Sequence, residues 1–216
     1  MKKKDKIIGL VTIGIVLGIA IGLICFFSIP RIDYNYDKKE ECYYVNKAYG
    51  NAKKYEILDE IDGVIVKYID EKAFMDKTKV ESVKMGKNIF KIERLAFANC
   101  TNLKDIDLSR VMCIERNAFM ECKSLESVEL NAIDIYGGAF IDCSSLSSVT
   151  LNNTVTIGSY AFTGTLISEI ILPSTMYTLG VEAFYNCNYL SKIICYSKKL
   201  QSDEYLLSFG SVVEFK

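Results

Sequence analysis

Carboxylates and thiols are the side chains of this 216-residue sequence with the most chemistry available to them. Asp105 and Asp107 stand two residues apart, a spacing that puts both carboxylates on one face of an extended strand, and Glu129 follows about one repeat later. Paired carboxylates can divide the work of a general acid and a general base when one of them is pushed to a raised pKa. Nothing else in the chain supports that role. There is no histidine, so the usual base for a serine or cysteine nucleophile is missing, and no glycine-rich phosphate loop follows a strand. The carboxylates therefore read as a solvated strand face, and the sequence points away from an enzyme and from any cofactor. The eight cysteines lack the close Cys-x-x-Cys pairs and histidine partners of a zinc site, so no metal is expected.

The elements that carry these residues are set by a repeat. The pair Ala-Phe occurs at Ala73-Phe74, Ala96-Phe97, Ala118-Phe119, Ala139-Phe140, Ala161-Phe162 and Ala183-Phe184, at spacings of 23, 22, 21, 22 and 22 residues. Five residues before each Phe stands an aliphatic: Ile69, Ile92, Ile114, Ile135, Ile157 and Leu179. After it comes a cysteine in four of the six units, Cys100, Cys122, Cys143 and Cys187. A Leu-x-x-Ile-x-Leu pattern completes the unit, as in Leu103/Ile106/Leu108, Leu125/Val128/Leu130 and Leu146/Val149/Leu151. It continues as Ile167/Ile170/Leu172 and Leu190/Ile193/Cys195, with Val80/Val83/Met85 as the first copy. A fixed period of this length means a solenoid, because one unit cannot bury its apolar face alone and stacked units can.

The unit Ile-Gly-x-x-Ala-Phe-x-x-Cys-x-x-Leu-x-x-Ile-x-Leu, clearest from Ile135 to Leu146 and from Ile157 to Phe162, resembles the BspA-like class of leucine-rich repeat. The resemblance spans residues 65–198, and the chain departs from the family in its poverty of proline, with only Pro173 placed after a strand. It implies an α/β or mainly β repeat solenoid of leucine-rich-repeat type with about six 22-residue rungs. BspA-like repeats are similar to those of microbial surface proteins implicated in adhesion to host matrix and to other cells, so the resemblance also implies a binding role outside the cell.

Each Leu-x-x-Ile-x-Leu segment is expected to form a short strand that pairs in parallel with its neighbours about 4.8 Å away, while the Phe of the return path points inward. The residues flanking the inward Ile or Val then face outward: Ser82/Lys84, Asp105/Asp107, Ser127/Glu129, Ser148/Thr150, Glu169/Ile171 and Lys192/Ile194. This strip is the candidate ligand face. It is acidic at Asp105, Asp107 and Glu129, neutral at Thr150, and apolar at Ile171 and Ile194, with Glu169 and Lys192 beside them and Tyr177, Tyr189 and Tyr196 near in sequence. A carboxy-terminal cap lying over the two isoleucines is the competing reading. The column Cys100/Cys122/Cys143 reads as buried small side chains, because equivalent ladder positions keep the rung spacing, longer than the roughly 3.8 Å between Cβ atoms of a disulfide.

Residues 1–6, rich in lysine, precede an uncharged run of 23 residues, 7–29. At about 1.5 Å per residue this run reaches roughly 35 Å, the length of a transmembrane helix. Its end at Phe26-Phe27-Ser28-Ile29-Pro30 does not suit signal-peptide cleavage. The lysines predict a single-pass topology with the amino terminus in the cytoplasm and the repeats outside. Gly14, Gly18 and Gly22 share one face of that helix, either as a dimer face or as the ordinary glycine content of such helices. Residues 30–54 read as a stalk or linker in which Cys42 is a free thiol or a bridge between two copies. Residues 55–68 read as an amino-terminal hairpin cap around Asp62-Gly63, 69–198 as the solenoid and 199–216 as a carboxy-terminal cap.

A formal net charge of −1 leaves no electrostatic footprint for nucleic acid. The expected partners are an extracellular protein or glycan and, through one anchor helix, membrane lipid. The alternative is a structural, self-assembling envelope protein, dimerised through the glycine face, with no foreign ligand.

Overall fold

The computed structural model describes residues 30–216 and the backbone of Ile7–Gly9. The chain winds into a mainly β solenoid whose rungs are joined by parallel hydrogen-bonded tracks. One track is a ladder of short strands: Val64–Ile69, Lys91–Ile92, Cys113–Ile114, Asp134–Ile135, Thr156–Ile157 and Thr178–Leu179. Ile69, Ile92, Ile114, Ile135, Ile157 and Leu179 lie in register along it and are all buried, so the repeat period is converted directly into strand register.

A second track is built from the longer segments. Lys54–Glu56, Ser82–Lys84 and Asp105–Ile106 form one sheet, Ser127–Leu130 and Ser148–Leu151 another, and Glu169–Leu172, Lys192–Cys195 and Val213–Phe215 a third. These eight strands make about eight rungs, because a rung at Tyr55 precedes the six repeats and one at Val213 follows them.

The Ala-Phe turns form a third track. The N–H groups of Phe74, Phe97, Phe119, Phe140 and Phe162 donate to the carbonyls of Ala96, Ala118, Ala139, Ala161 and Ala183 at 2.7–2.8 Å. The six Phe rings stack with centroids 4.8–5.8 Å apart and planes within 16° of parallel, and Tyr55 closes the lower end edge-on at 5.5 Å. Each turn bends at two left-handed residues. One precedes the Ala (Lys72, Leu95, Asn117, Gly138, Tyr160, Glu182) and one lies two after the Phe (Asp76, Asn99, Glu121, Asp142, Gly164, Asn186). The second position is mostly Asn, Asp or Gly, the residues that tolerate that conformation best.

The cysteine column is buried, and all seven cysteines among the described residues are free. The thiols of Cys100, Cys122, Cys143 and Cys187 donate to the carbonyls of Phe74, Phe97, Phe119 and Phe162 at 3.1–3.2 Å, each linking its rung to the one below. Burial pushes the Cys100 thiol up to about 12, which removes it from thiolate chemistry at neutral pH.

Residues 30–54 are not a stalk. Arg31–Asp37 and Cys42–Tyr49 form an antiparallel hairpin, and its second strand pairs in parallel with Val64–Ile69 to start the short ladder. Ile32, Tyr34, Cys42, Val45 and Ala48 are buried, and Ala48 N–H donates to the Ala73 carbonyl at 2.8 Å, extending the Ala-Phe track downward. The charged and tyrosine-rich composition is absorbed by specific partners. Arg31 pairs with Asp33 at 3.3 Å and lies 4.2 Å over the Tyr49 ring, the Tyr34 hydroxyl accepts from Leu58 N–H at 3.1 Å, and Tyr68 stacks on Tyr44 at 4.8 Å. Cys42 is fully buried, so it cannot serve as an exposed bridge between copies.

Asp62 and Gly63, with φ of 50° and 79°, join Glu60–Ile61 to Val64–Ile69. At the other end Asp203 caps one helical turn, Glu204–Leu207, which buries Leu206. Ile7–Gly9 runs antiparallel to Arg31–Asp37, a strand where the sequence predicts the transmembrane helix to begin. The remainder of that span, with Gly14, Gly18 and Gly22, and the basic tail 1–6 lie outside the described residues. Among the described residues no helix is long and apolar enough to cross a membrane.

Candidate ligand-binding faces

Parallel pairing sets the outward residues of the long strands side by side. Asp105 stands beside Ser82, Glu129 beside Thr150, Glu169 beside Lys192, and Ile171 beside Ile194. Glu129 accepts from the Asn152 carboxamide at 3.1 Å, and Lys192 pairs with Glu169 at 3.4 Å. The hydroxyl and N–H of Ser109, the latter at 2.9 Å from Asp107 Oδ1, hold the Asp107 carboxyl below the usual carboxylate range. A group kept charged in this way is the opposite of what a general acid needs.

The carboxy-terminal strand decides how open the apolar end is. Val213–Phe215 pairs in the plane of Lys192–Cys195, setting Glu214 beside Ile194, so it extends the sheet edge instead of lying over the face. Ile171 is 48% exposed and Ile194 half-buried. Tyr189 and Tyr196 are also exposed. Tyr177 belongs to the short ladder, where its N–H donates to the Val155 carbonyl at 2.8 Å.

The short ladder carries two further features. Two residues before each inward aliphatic lies the column Phe90, Met112, Ile133, Val155 and Tyr177, joined rung to rung by backbone bonds of 2.7–2.9 Å. Phe90, Met112, Ile133 and Tyr177 are exposed, an apolar ridge that was readable from the spacing. One residue after the inward aliphatic, the side chains run Asp70, Glu93, Glu115, Tyr136, Gly158, Gly180. Beside Tyr136, where the last two positions carry no side chain, lies a cleft of about 630 Å3, lined also by Arg116, Asn117, Thr156, Ser159 and Tyr160. Both glycines are required by the close approach of neighbouring rungs. A Cβ on Gly158 would lie 2.5 Å from the Gly137 nitrogen, and one on Gly180 would collide with the Ser159 nitrogen.

Residues 67–206 match the BspA type leucine rich repeat region in six copies. The chain belongs to the BspA-type leucine-rich-repeat family. Among solved structures it is similar to a leucine rich cell surface protein from Faecalibacterium prausnitzii, with 25% identity and a TM-score of 0.64 over 77% of this chain and 53% of that one. The chain thus spans about half the length of that protein. The leucine rich repeat protein of T. pallidum shares the fold at 21% identity and a TM-score of 0.57, over 80% of this chain and 70% of its own. A comparison with curated proteins finds no match. The rungs at Tyr55 and Val213 and the amino-terminal hairpin lie outside the matched residues.

Proposed function

We propose that this chain is a surface-displayed binding module, not an enzyme, which offers its long-strand face to an extracellular protein or glycan. In this reading the uncharged stretch 7–29 anchors it as a single-pass membrane protein with the amino terminus in the cytoplasm, a topology in which Ile7–Gly9 gives up its pairing with Arg31–Asp37. The observation that carries it is Ile171 beside Ile194, left open by a terminal strand that joins the sheet edge. Neighbouring solvent-facing isoleucines cost the monomer solubility and suit the centre of a contact, with the Glu169–Lys192 pair and the acidic residues Asp105, Asp107 and Glu129 of earlier rungs as its polar rim. The surface location named for the Faecalibacterium prausnitzii relative agrees with this reading.

Self-association in the envelope is the second reading, favoured by Val213–Phe215, which has a strand neighbour on one side only among the described residues. A screen of the full-length chain in detergent against matrix proteins and glycans separates the two. A ligand lost in the Ile171→Asp/Ile194→Asp variant supports the binding module. No ligand, together with cross-linking of the chain to itself in membranes, supports assembly instead.

A further inference from the structure

We propose that the cleft beside Tyr136 is a second binding site, for an acidic saccharide: a pyranose unit carrying a carboxylate. Its volume of about 630 Å3 falls within the roughly 300–1,000 Å3 of small-molecule sites. The opening lies where Gly158 and Gly180 occupy the column that carries Glu93, Glu115 and Tyr136 on earlier rungs, and their backbones pass too close to the preceding rung for any side chain.

The lining has the chemistry of a sugar site. Tyr136 and Tyr160 are 38% and 44% exposed, and their rings offer flat faces to the C–H side of a pyranose, with the Tyr160 hydroxyl held by the Glu182 carboxylate. Tyr160 is held at φ +62°, the one aromatic residue among the described residues in the left-handed region, a conformation that costs a bulky side chain free energy. The hydroxyls of Thr156 and Ser159 and the Asn117 carboxamide supply donors and acceptors for sugar hydroxyls.

Charge selects the acidic class. Among the described residues lining the cleft, Arg116 alone is charged, and a guanidinium matches a carboxylate with two parallel hydrogen bonds. Of the carboxylates around the cleft, Glu93 and Glu115 share Lys91 at 2.8 and 3.2 Å, Glu182 accepts from the Tyr160 hydroxyl and Asp134 lies near Tyr136, so Arg116 is the group that can meet an anion there. A simple inorganic anion would leave the two tyrosines unused, and a neutral sugar would leave Arg116 unused.

The site is separate from the long-strand face and stands or falls independently of it. The test titrates the full-length chain in detergent with uronate-bearing oligosaccharides and their neutral counterparts, for the parent, Arg116→Gln, Tyr160→Gly and Ile171→Asp/Ile194→Asp. Glycine adopts the positive φ of residue 160 without strain, so Tyr160→Gly removes the ring while the thermal midpoint holds or rises. The acidic sugars should bind the parent about tenfold more tightly than the neutral ones, and Arg116→Gln should erase that preference. Tyr160→Gly should weaken both classes about tenfold, and the isoleucine variant should bind like the parent. No preference for acid in the parent, an unchanged affinity in Tyr160→Gly, or loss of binding in the isoleucine variant would overturn the proposal.

Discussion

The backbone N–H of Phe184 donates to the phenol oxygen of Tyr205, 3.0 Å away. Every earlier Phe of the stack gives the same N–H to an alanine carbonyl on the next rung, and no further Ala-Phe unit stands above Phe184. A side chain from the terminal helical turn therefore satisfies the donor that the end of a repeating track leaves over.

Tyr205→Phe keeps the ring and its edge contact with Phe209 at 5.2 Å but removes that acceptor. It should cost about 1 kcal/mol in urea unfolding and speed amide exchange at Phe184. Unaltered stability and unaltered exchange would mean that the cap closes the stack by packing alone.

Phe119 lies fully buried between Phe97 and Phe140, with centroids 5.1 Å away on both sides. Its replacement by Ala opens a cavity in the middle of the stack and should destabilise the chain by about 3–5 kcal/mol. A loss below about 1 kcal/mol would show that the rungs close over the gap.

Thr154 is fully buried in the column of Val111, Ala132 and Met176, and its hydroxyl has no hydrogen-bond partner among the described residues. Thr154→Val keeps the shape and removes the unpaired group, so it should stabilise by about 1 kcal/mol and raise the thermal midpoint by roughly 2–4 °C. A lower midpoint would indicate that the hydroxyl is well solvated or paired after all.

Asp37 is held below its ordinary value of 3.8, first by the Tyr68 hydroxyl at 2.8 Å and then by the N–H groups of Glu40 and Lys39. A carboxyl depressed in the folded state adds stability that is fully present above its ordinary value and is lost as pH falls through the folded one. Tyr68→Phe should raise the Asp37 pKa toward 3.8 and flatten the acid-side loss of stability below that pH, as followed by carboxyl NMR titration. Identical Asp37 titration curves in parent and variant would refute the assignment.

The solenoid was legible because the Ala-Phe spacing states strand register outright: Ile92, Ile114 and Ile135 align in sequence and pair in space. The amino-terminal hairpin was not. Its alternation of Ile32 and Tyr34 is broken by a register shift between Asp33 and Tyr34, and Arg31 and Asp33 are buried as a pair, whereas patterning assigns charges to solvent. The long-strand face could be read residue by residue, since it follows from alternation. The cleft could not, since it arises where side chains are missing at Gly158 and Gly180, and a gap shows only when the same position is compared from rung to rung.

The measurement that bears most directly on the account is equilibrium binding of the full-length chain to a ligand recovered in the screen, for the parent and for Ile171→Asp/Ile194→Asp, with unfolding midpoints taken in parallel. Two buried charges at the centre of a contact should weaken binding at least about tenfold while the midpoint stays close to that of the parent. Equal affinities at equal stability would contradict the account and remove the isoleucine face as the contact.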